Sequence, residues 1–248
     1  MGYSWDWGIF FKSTGIGQQI YLDWFISGLG WTLTMASSAW ILALFLGIIL
    51  GVLRNVPNRL LSAFSASYIT LFRNIPLLVQ LFSWYFLIPD YLPDNLQTWF
   101  KQGLSPTTSA YISALLCLGL FTAARIAEQI RTGIQAIPLG QSAAATAIGL
   151  KLPQIYCYVL LPQAIRIIMP PLTSELLNIF KNSTVVSLIG LMELLAATKQ
   201  VSEFSAHLFE AFTLATIIYF MLNMSLMKSM RWLERKLAIP GFIVAGNK

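Results

Sequence analysis

The chain has 248 residues, of which 56% are hydrophobic and only 10% charged, and its mean hydropathy is +0.68. A soluble domain carries roughly 25% charged residues, so this composition excludes a disordered chain, argues against a soluble globular enzyme and points to an integral membrane protein. The net charge of +6 is read first as a topology signal, because lysine and arginine orient membrane chains, and not as a nucleic-acid footprint.

The N-terminal MGYSWDWGIFFKST has no basic n-region, apolar h-region or cleavage site, so no removed signal peptide is expected. Residues 24–53 form 30 consecutive positions without a charge, more than the about 20 that a membrane-spanning helix needs. Arg54, Pro57 and Arg59 end this first span. A second span is predicted from about 60 to 88, interrupted by Arg73, Asn74 and Pro76, and followed by a polar turn at Pro89, Asp90, Pro93 and Asp94. The charge-free stretch 102–124 holds the third span, which continues into Arg125, Glu128 and Arg131.

Residues 132–150 also lack charge, but they are rich in Ala, Gly, Gln, Ser and Thr and too weakly apolar to span. The fourth span falls at about 154–180 and contains Pro162, Pro170 and Pro171. So much proline requires other groups to satisfy the freed carbonyls. The stretch 183–197 is too short to span, and 211–227 is the fifth span. Cys117 and Cys157 lie far apart in apolar context and are expected to be buried as small hydrophobes. His207 is expected to be a solvated surface residue.

Five spans put the two ends on opposite sides of the membrane. The loops after spans one and three and the C-terminal tail hold Arg54, Arg59, Arg131, Lys151, Lys228, Arg231, Arg235, Lys236 and Lys248; the other side holds Lys12, Lys101 and Lys199. This asymmetry predicts the N-terminus outside and the C-terminus inside. Asp6, Asp23, Asp90, Asp94, Glu193, Glu203 and Glu210 all fall on the outer side.

Six charges remain near or inside spans: Arg73, Arg125, Glu128, Arg166, Glu175 and Lys181. A central charge costs about 2.5–3.5 kcal/mol on insertion scales, so such residues pair, face the interior or line a substrate path. Arg125, Glu128 and Arg131 share a helix face by their spacing of three. Glu175, Asn178 and Asn182 form a second polar face beside Lys181. Two such faces predict a lined cavity. The structural alternative is that Arg125 and Glu128 form an internal ion pair and that Glu175 and Lys181 anchor the backbone freed by the prolines, with no substrate involved. The sequence has no GxxxxGK[ST], HExxH or GxSxG motif and no metal-ligand cluster, so any ATP that powers transport must be bound by another subunit.

The segment GIQAIPLGQSAAATAIGLKLPQ carries small side chains at Gly140, Ser142, Ala143, Ala144, Ala145 and Ala147, and Gly149 permits a sharp exit at positive φ. It reads as a short helix that docks into a groove of a soluble partner. Here the sequence resembles the permease subunits of ABC importers of the polar amino acid family. Their coupling loop has an EAA…G pattern with LP about a dozen residues on; this chain has Ala143-Ala144-Ala145, Gly149 and Leu161-Pro162. It departs at Ala143, where the family commonly has Glu, which removes one polar contact to the ATPase. Phe72-Arg73-Asn74-Ile75-Pro76-Leu77-Leu78-Val79-Gln80, Glu128-Gln129-Ile130-Arg131, Gly140-Gln141, Pro171-Leu172-Thr173-Ser174-Glu175, Phe180-Lys181-Asn182-Ser183 and Glu193-Leu194 match further family segments. The resemblance is closest to glutamate/aspartate permeases, and many family members have Tyr where this chain has Arg125.

The resemblance implies an all-α, five-span, type I importer permease fold, with residues 1–248 as one transmembrane domain and a cytoplasmic coupling loop at about 133–153. It implies the bacterial inner membrane, ABC ATPase subunits that bind ATP and Mg²⁺, a second and distinct permease, a periplasmic solute-binding protein and an acidic amino acid substrate. This chain would hold no cofactor, bind no nucleic acid and catalyse nothing by itself. Arg125, Glu128, Arg73 and Asn182 are the implied substrate-binding residues, and Gly140, Ala143, Ala144 and Gly149 the coupling residues. A guanidinium holds a carboxylate through two parallel bonds, so Arg125 is expected to read the acidic side chain. The rival is a proton- or sodium-coupled transporter using Glu128 or Glu175, which the coupling-type loop and the lack of an inverted repeat oppose. A membrane-embedded enzyme lacks its catalytic set.

The topology has a direct check. A cysteine placed at Asn95 reacts with a membrane-impermeant thiol reagent from the periplasm, and one at Asn247 does not. The reverse labelling contradicts the orientation.

Overall fold

The computed structural model describes residues 3–237. Lys248, counted among the interior cations, and the C-terminal end lie outside these residues. Helix α1 is Tyr21–Leu53, α2 Arg59–Asn74, α3 Leu77–Phe82, α4 Asp94–Thr98 and α5 Pro106–Gln135. They are followed by α6 Leu139–Ala147, α7 Leu152–Ile155, α8 Leu161–Asn182, α9 Leu194–Ser205 and α10 Leu208–Leu237. Apart from an isolated bridge between Ser13 and Ile20, the regular structure of the described residues is helical. Four stretches are long and apolar enough to cross a membrane: Tyr21–Leu53, Pro106–Gln135, Leu152–Ile189 and Leu208–Leu237. The bent pair Arg59–Asn74 and Leu77–Tyr91 makes a fifth if it counts as one span.

The second span, expected from about 60 to 88 with an interruption at Arg73, Asn74 and Pro76, is two helices that break at that interruption. Helix α2 starts where the Asn58 side chain accepts from the Leu60 and Leu61 amides, and it ends at Ile75, which is extended. Proline disfavours the helical conformation of the residue before it and donates no bond to the preceding turn, so Pro76 stops α2 and begins a new helix. Prolines act differently in the fourth span. Tyr156–Leu160, just before Pro162, is a π-helical turn, and Pro170 and Pro171 lie inside α8 without ending it. Local π adjustment and side-chain bonds are the means by which spans tolerate proline. The Gln163 amide donates to the Val159 carbonyl at 3.0 Å and the Thr173 hydroxyl to Met169 at 3.1 Å. Cys117 is buried as expected, but Cys157, within the π turn, is exposed.

The chain forms two compact units. One contains residues 3–39, 76–118 and 179–225. Its core includes Ile9, Phe10, Tyr21, Phe25, Leu194, Val201, Ala211 and Ala215. Two acids read as exterior from the loop pattern, Glu193 and Glu210, are both 0% exposed. Glu193 caps α9 by accepting from the Leu195 and Ala196 amides, each at 2.9 Å, and it also accepts from the Tyr219 hydroxyl at 3.0 Å. Burial pushes its carboxyl above the usual range, against these donors. Glu210 accepts from the Tyr3 hydroxyl and the Asp6 amide, pinning the N-terminal segment to α10. His207 is only partly buried and its Nδ1 meets the Ser205 carbonyl.

The other unit contains residues 40–75, 119–178 and 226–237. Its core joins Ala43, Ala123, Ile126, Ile130, Ile134, Ile137, Ala145, Ile155, Ala164 and Ile168. Helix α5 approaches α1 so closely that a Cβ at Gly51 would meet Ile130 Cβ at 2.5 Å and the Ala127 carbonyl at 2.8 Å. Small residues at such contacts are how spans pack without a hydrophobic drive between them. Gly51→Ala is expected to lower stability by about 1–3 kcal/mol through overpacking. Gly30→Ala, where nothing lies within 4 Å, is the control and loses nothing. Thermal unfolding of the two purified variants checks this; equal midpoints contradict the close approach.

Candidate functional site

The second unit brings an arginine-rich face of α5 against α8 and the end of α2. Phe121, Arg125 and Gln129 follow one another at four-residue spacing, which stacks their side chains along one helix face. The Arg125 guanidinium reaches Glu175 on α8 with two bonds, from Nε to Oε2 at 2.7 Å and from Nη2 to Oε1 at 3.0 Å. Gln129 Nε2 donates to the same Oε1 at 3.2 Å, which fixes its amide orientation and leaves its own buried Oε1 without a partner among the described residues. The Phe121 ring flanks Arg125, with its centroid 5.9 Å from Cζ. The Glu175 side chain is 7% exposed and that of Arg125 41%, so the acid is sealed and the base remains open.

The pairing of Arg125 with Glu128, weighed above as the structural alternative, is thus corrected. Arg125 pairs with Glu175 and not with Glu128. Glu128 turns instead to Arg131, which donates from Nε at 3.0 Å and Nη2 at 2.7 Å, while Arg131 Nη1 also donates to Gln135 at 2.6 Å. Arg73, from the last turn of α2, lies 3.8 Å from the same Glu128 carboxylate. Glu128 is three residues from both arginines, so sequence spacing could not choose between them. The buried Glu175 carboxylate decides the matter, because it must have a cation and Arg125 faces it. Arg125, Glu128 and Arg73 are therefore brought together in one unit. Asn182 ends α8 in the other unit, where it is half-buried.

The small-residue segment forms α6, with Gly140, Ala143 and Ala144 exposed and Ala145 packed into the core of its unit. Its C-terminus closes with two bonds, from the Gly149 amide to Thr146 at 2.9 Å and from the Leu150 amide to Ala145 at 3.1 Å. This pattern is a Schellman cap and needs a left-handed residue after the helix; Gly149 has φ +84°. Leu139 and Ile148 at the two ends of α6 are 86% and 78% exposed, which gives the short helix a projecting apolar surface. Among the described residues no group of three or more His, Cys, Asp or Glu side chains is placed to hold a metal ion.

Sequence reasoning missed Gln129 and Phe121 as neighbours of the candidate selector. Their signal was present in the four-residue spacing on either side of Arg125.

Residues 43–239 match the family described as binding-protein-dependent transport system inner membrane component. The glutamate/aspartate import permease protein GltJ of Escherichia coli O6:H1 strain CFT073 is 47% identical over 241 residues, covering 97% of this chain and 98% of that protein. The glutamate/aspartate import permease protein GltK of the same strain is 30% identical over 237 residues, covering 95% of this chain and 100% of that protein. Among solved structures, an amino acid ABC transporter crystallised with histidines superposes with a TM-score of 0.73 at 29% identity, over 87% of this chain and 95% of that one.

Proposed function

Since the chain belongs to the family of binding-protein-dependent transport system inner membrane components, we propose that it is the permease subunit of an ATP-driven ABC importer that carries glutamate and aspartate across the bacterial inner membrane. The observation that carries the acidic substrate is Arg125: a guanidinium at membrane depth, held in a fixed plane and open on one side. Two full-length relatives with glutamate/aspartate in their names support it. Glu128 and Glu175, the acids a proton-coupled carrier would use, are each engaged by an arginine, which favours the ATP-driven reading.

In this reading residues 1–248 act as one transmembrane domain, with the N-terminus periplasmic and the C-terminus cytoplasmic. A second, distinct permease completes the pathway; that one bacterial strain has both GltJ and GltK supports such a pair. Two ABC ATPase subunits, which hold ATP and Mg²⁺, dock on α6 through the surface of Gly140, Ala143, Ala144 and the exposed Leu139 and Ile148. A periplasmic solute-binding protein delivers the amino acid. ATP binding shifts the permease between its two states only through its differential affinity for them. Arg125 meets the substrate's side-chain carboxylate. Glu128 and Arg73 form the adjoining charged layer, and Asn182 is a further polar contact from the end of α8.

Two experiments test this. In the complex reconstituted with its ATPase and binding protein, Arg125→Lys keeps a cation for Glu175 but loses the planar fork. Glutamate import is expected to fall by at least about tenfold, in line with a loss of 1.4 kcal/mol or more from an unpaired charge, while assembly persists. Import equal to wild type removes Arg125 as selector. At the coupling helix, Gly149→Val forces a β-branched residue to positive φ, where only glycine is at ease. The complex is expected to assemble poorly or to hydrolyse ATP without import. Normal coupled import contradicts the role given to α6.

A further inference from the structure

A guanidinium offers two edges at which parallel N–H groups can grip a carboxylate, one formed by Nε and Nη2 and the other by Nη1 and Nη2. In Arg125 the first edge is filled by Glu175. Among the described residues no protein group takes a bond from Nη1, and the side chain keeps 41% of its surface open. We infer that Glu175 is a positioning residue: it grips the inner edge of Arg125 and so presents the Nη1 edge to the carboxylate of the substrate. The inference rests on the reading of Arg125 as the group that meets an acidic side chain.

Three features of the site support a positioning role over simple charge neutralisation. The bond is bidentate, and so it fixes the guanidinium plane as well as its place. Glu175 is itself held, because Gln129, one turn beyond Arg125 on α5, donates to its Oε1 at 3.2 Å. The Phe121 ring, one turn before, flanks the guanidinium. Arg125 is thereby confined by the Phe121 ring on its own helix and by a sealed carboxylate on α8 that Gln129 holds in turn, with one edge left open. An arginine without this support would lose its long side chain's freedom only when substrate arrives, and that ordering would weaken binding.

The role separates from a merely structural one by how KM and kcat respond. The test uses the complete complex in proteoliposomes, with import of glutamate measured for wild type, Arg125→Lys, Glu175→Gln and the double variant. Glu175→Gln keeps the shape but replaces the bidentate ion pair by a single bond from the guanidinium to a neutral amide oxygen. The glutamate KM is expected to rise about tenfold, with kcat within about twofold of wild type. Because Glu175 acts through Arg125, the double variant is expected to be no worse than Arg125→Lys alone. Multiplying losses in the double variant, or a fall in kcat at unchanged KM, overturns the inference while leaving the reading of Arg125 intact. An Arg125→Lys complex that imports glutamate as wild type does removes that reading, and the inference with it. Should Glu175→Gln fail to assemble, Gln129→Leu removes only the bond that holds Glu175. It is expected to raise the glutamate KM severalfold at unchanged kcat, and an unaltered KM overturns the inference.

Discussion

A charge placed at membrane depth must be neutralised by the protein around it, since lipid offers no partner. In this chain that requirement is met at Arg125 by Glu175, and much of the second unit is arranged so that the two can meet. Helix α5 comes close to α1 at Gly51, and close to α8 at Gly133, where a Cβ would lie 2.6 Å from Ile168 Cγ2. These approaches set the register of α5 against both neighbours. The same register brings Gln129 to the Glu175 carboxylate and leaves Glu128 to the pair of Arg131 and Arg73. The helix thus carries two charge clusters, one balanced and open only on its arginine side, the other richer in cations.

Where proline removes a backbone donor, the form of the irregularity depends on what surrounds it. At Pro76 the helix is interrupted and a new one begins. Near Pro162 the chain keeps its helical course by widening into a π turn, and side chains such as Gln163 and Thr173 bond to carbonyls one turn back. Both outcomes obey the rule that each polar group within a membrane be satisfied inside the protein. The short helix α6 shows the opposite situation. Its apolar ends at Leu139 and Ile148 are left exposed, as suits a surface that another protein covers, and its exit depends on one left-handed glycine.

The helical class, the spans and the small-residue helix were legible because they are local. Long uncharged runs mark spans, a run of alanines closed by glycine marks the cap at Gly149, and the repeated family segments mark the permease. The site was legible only in its membership. Arg125, Glu128, Arg73 and Glu175 stood out as charges that apolar surroundings would not tolerate without reason. Their pairing did not, because spacing of three joins Glu128 equally to Arg125 and Arg131, and the partner of Arg125 lies 50 residues away on another helix. Only the register between helices, set by glycine approaches that no single-helix pattern reveals, decides it. The buried state of Glu193 was hidden for a similar reason. A glutamate in a loop reads as solvated until the helix that it caps and the tyrosine that reaches it are in place.

The account centres on one contact, that of the open edge of Arg125 with the side-chain carboxylate of the transported amino acid. A structure of the assembled complex determined with bound aspartate tests it most directly. The account predicts the β-carboxylate within hydrogen-bond distance of Arg125 Nη1, with Glu175 still bonded to Nε. Aspartate bound elsewhere in the pathway, with Arg125 touching Glu175 alone, would contradict it.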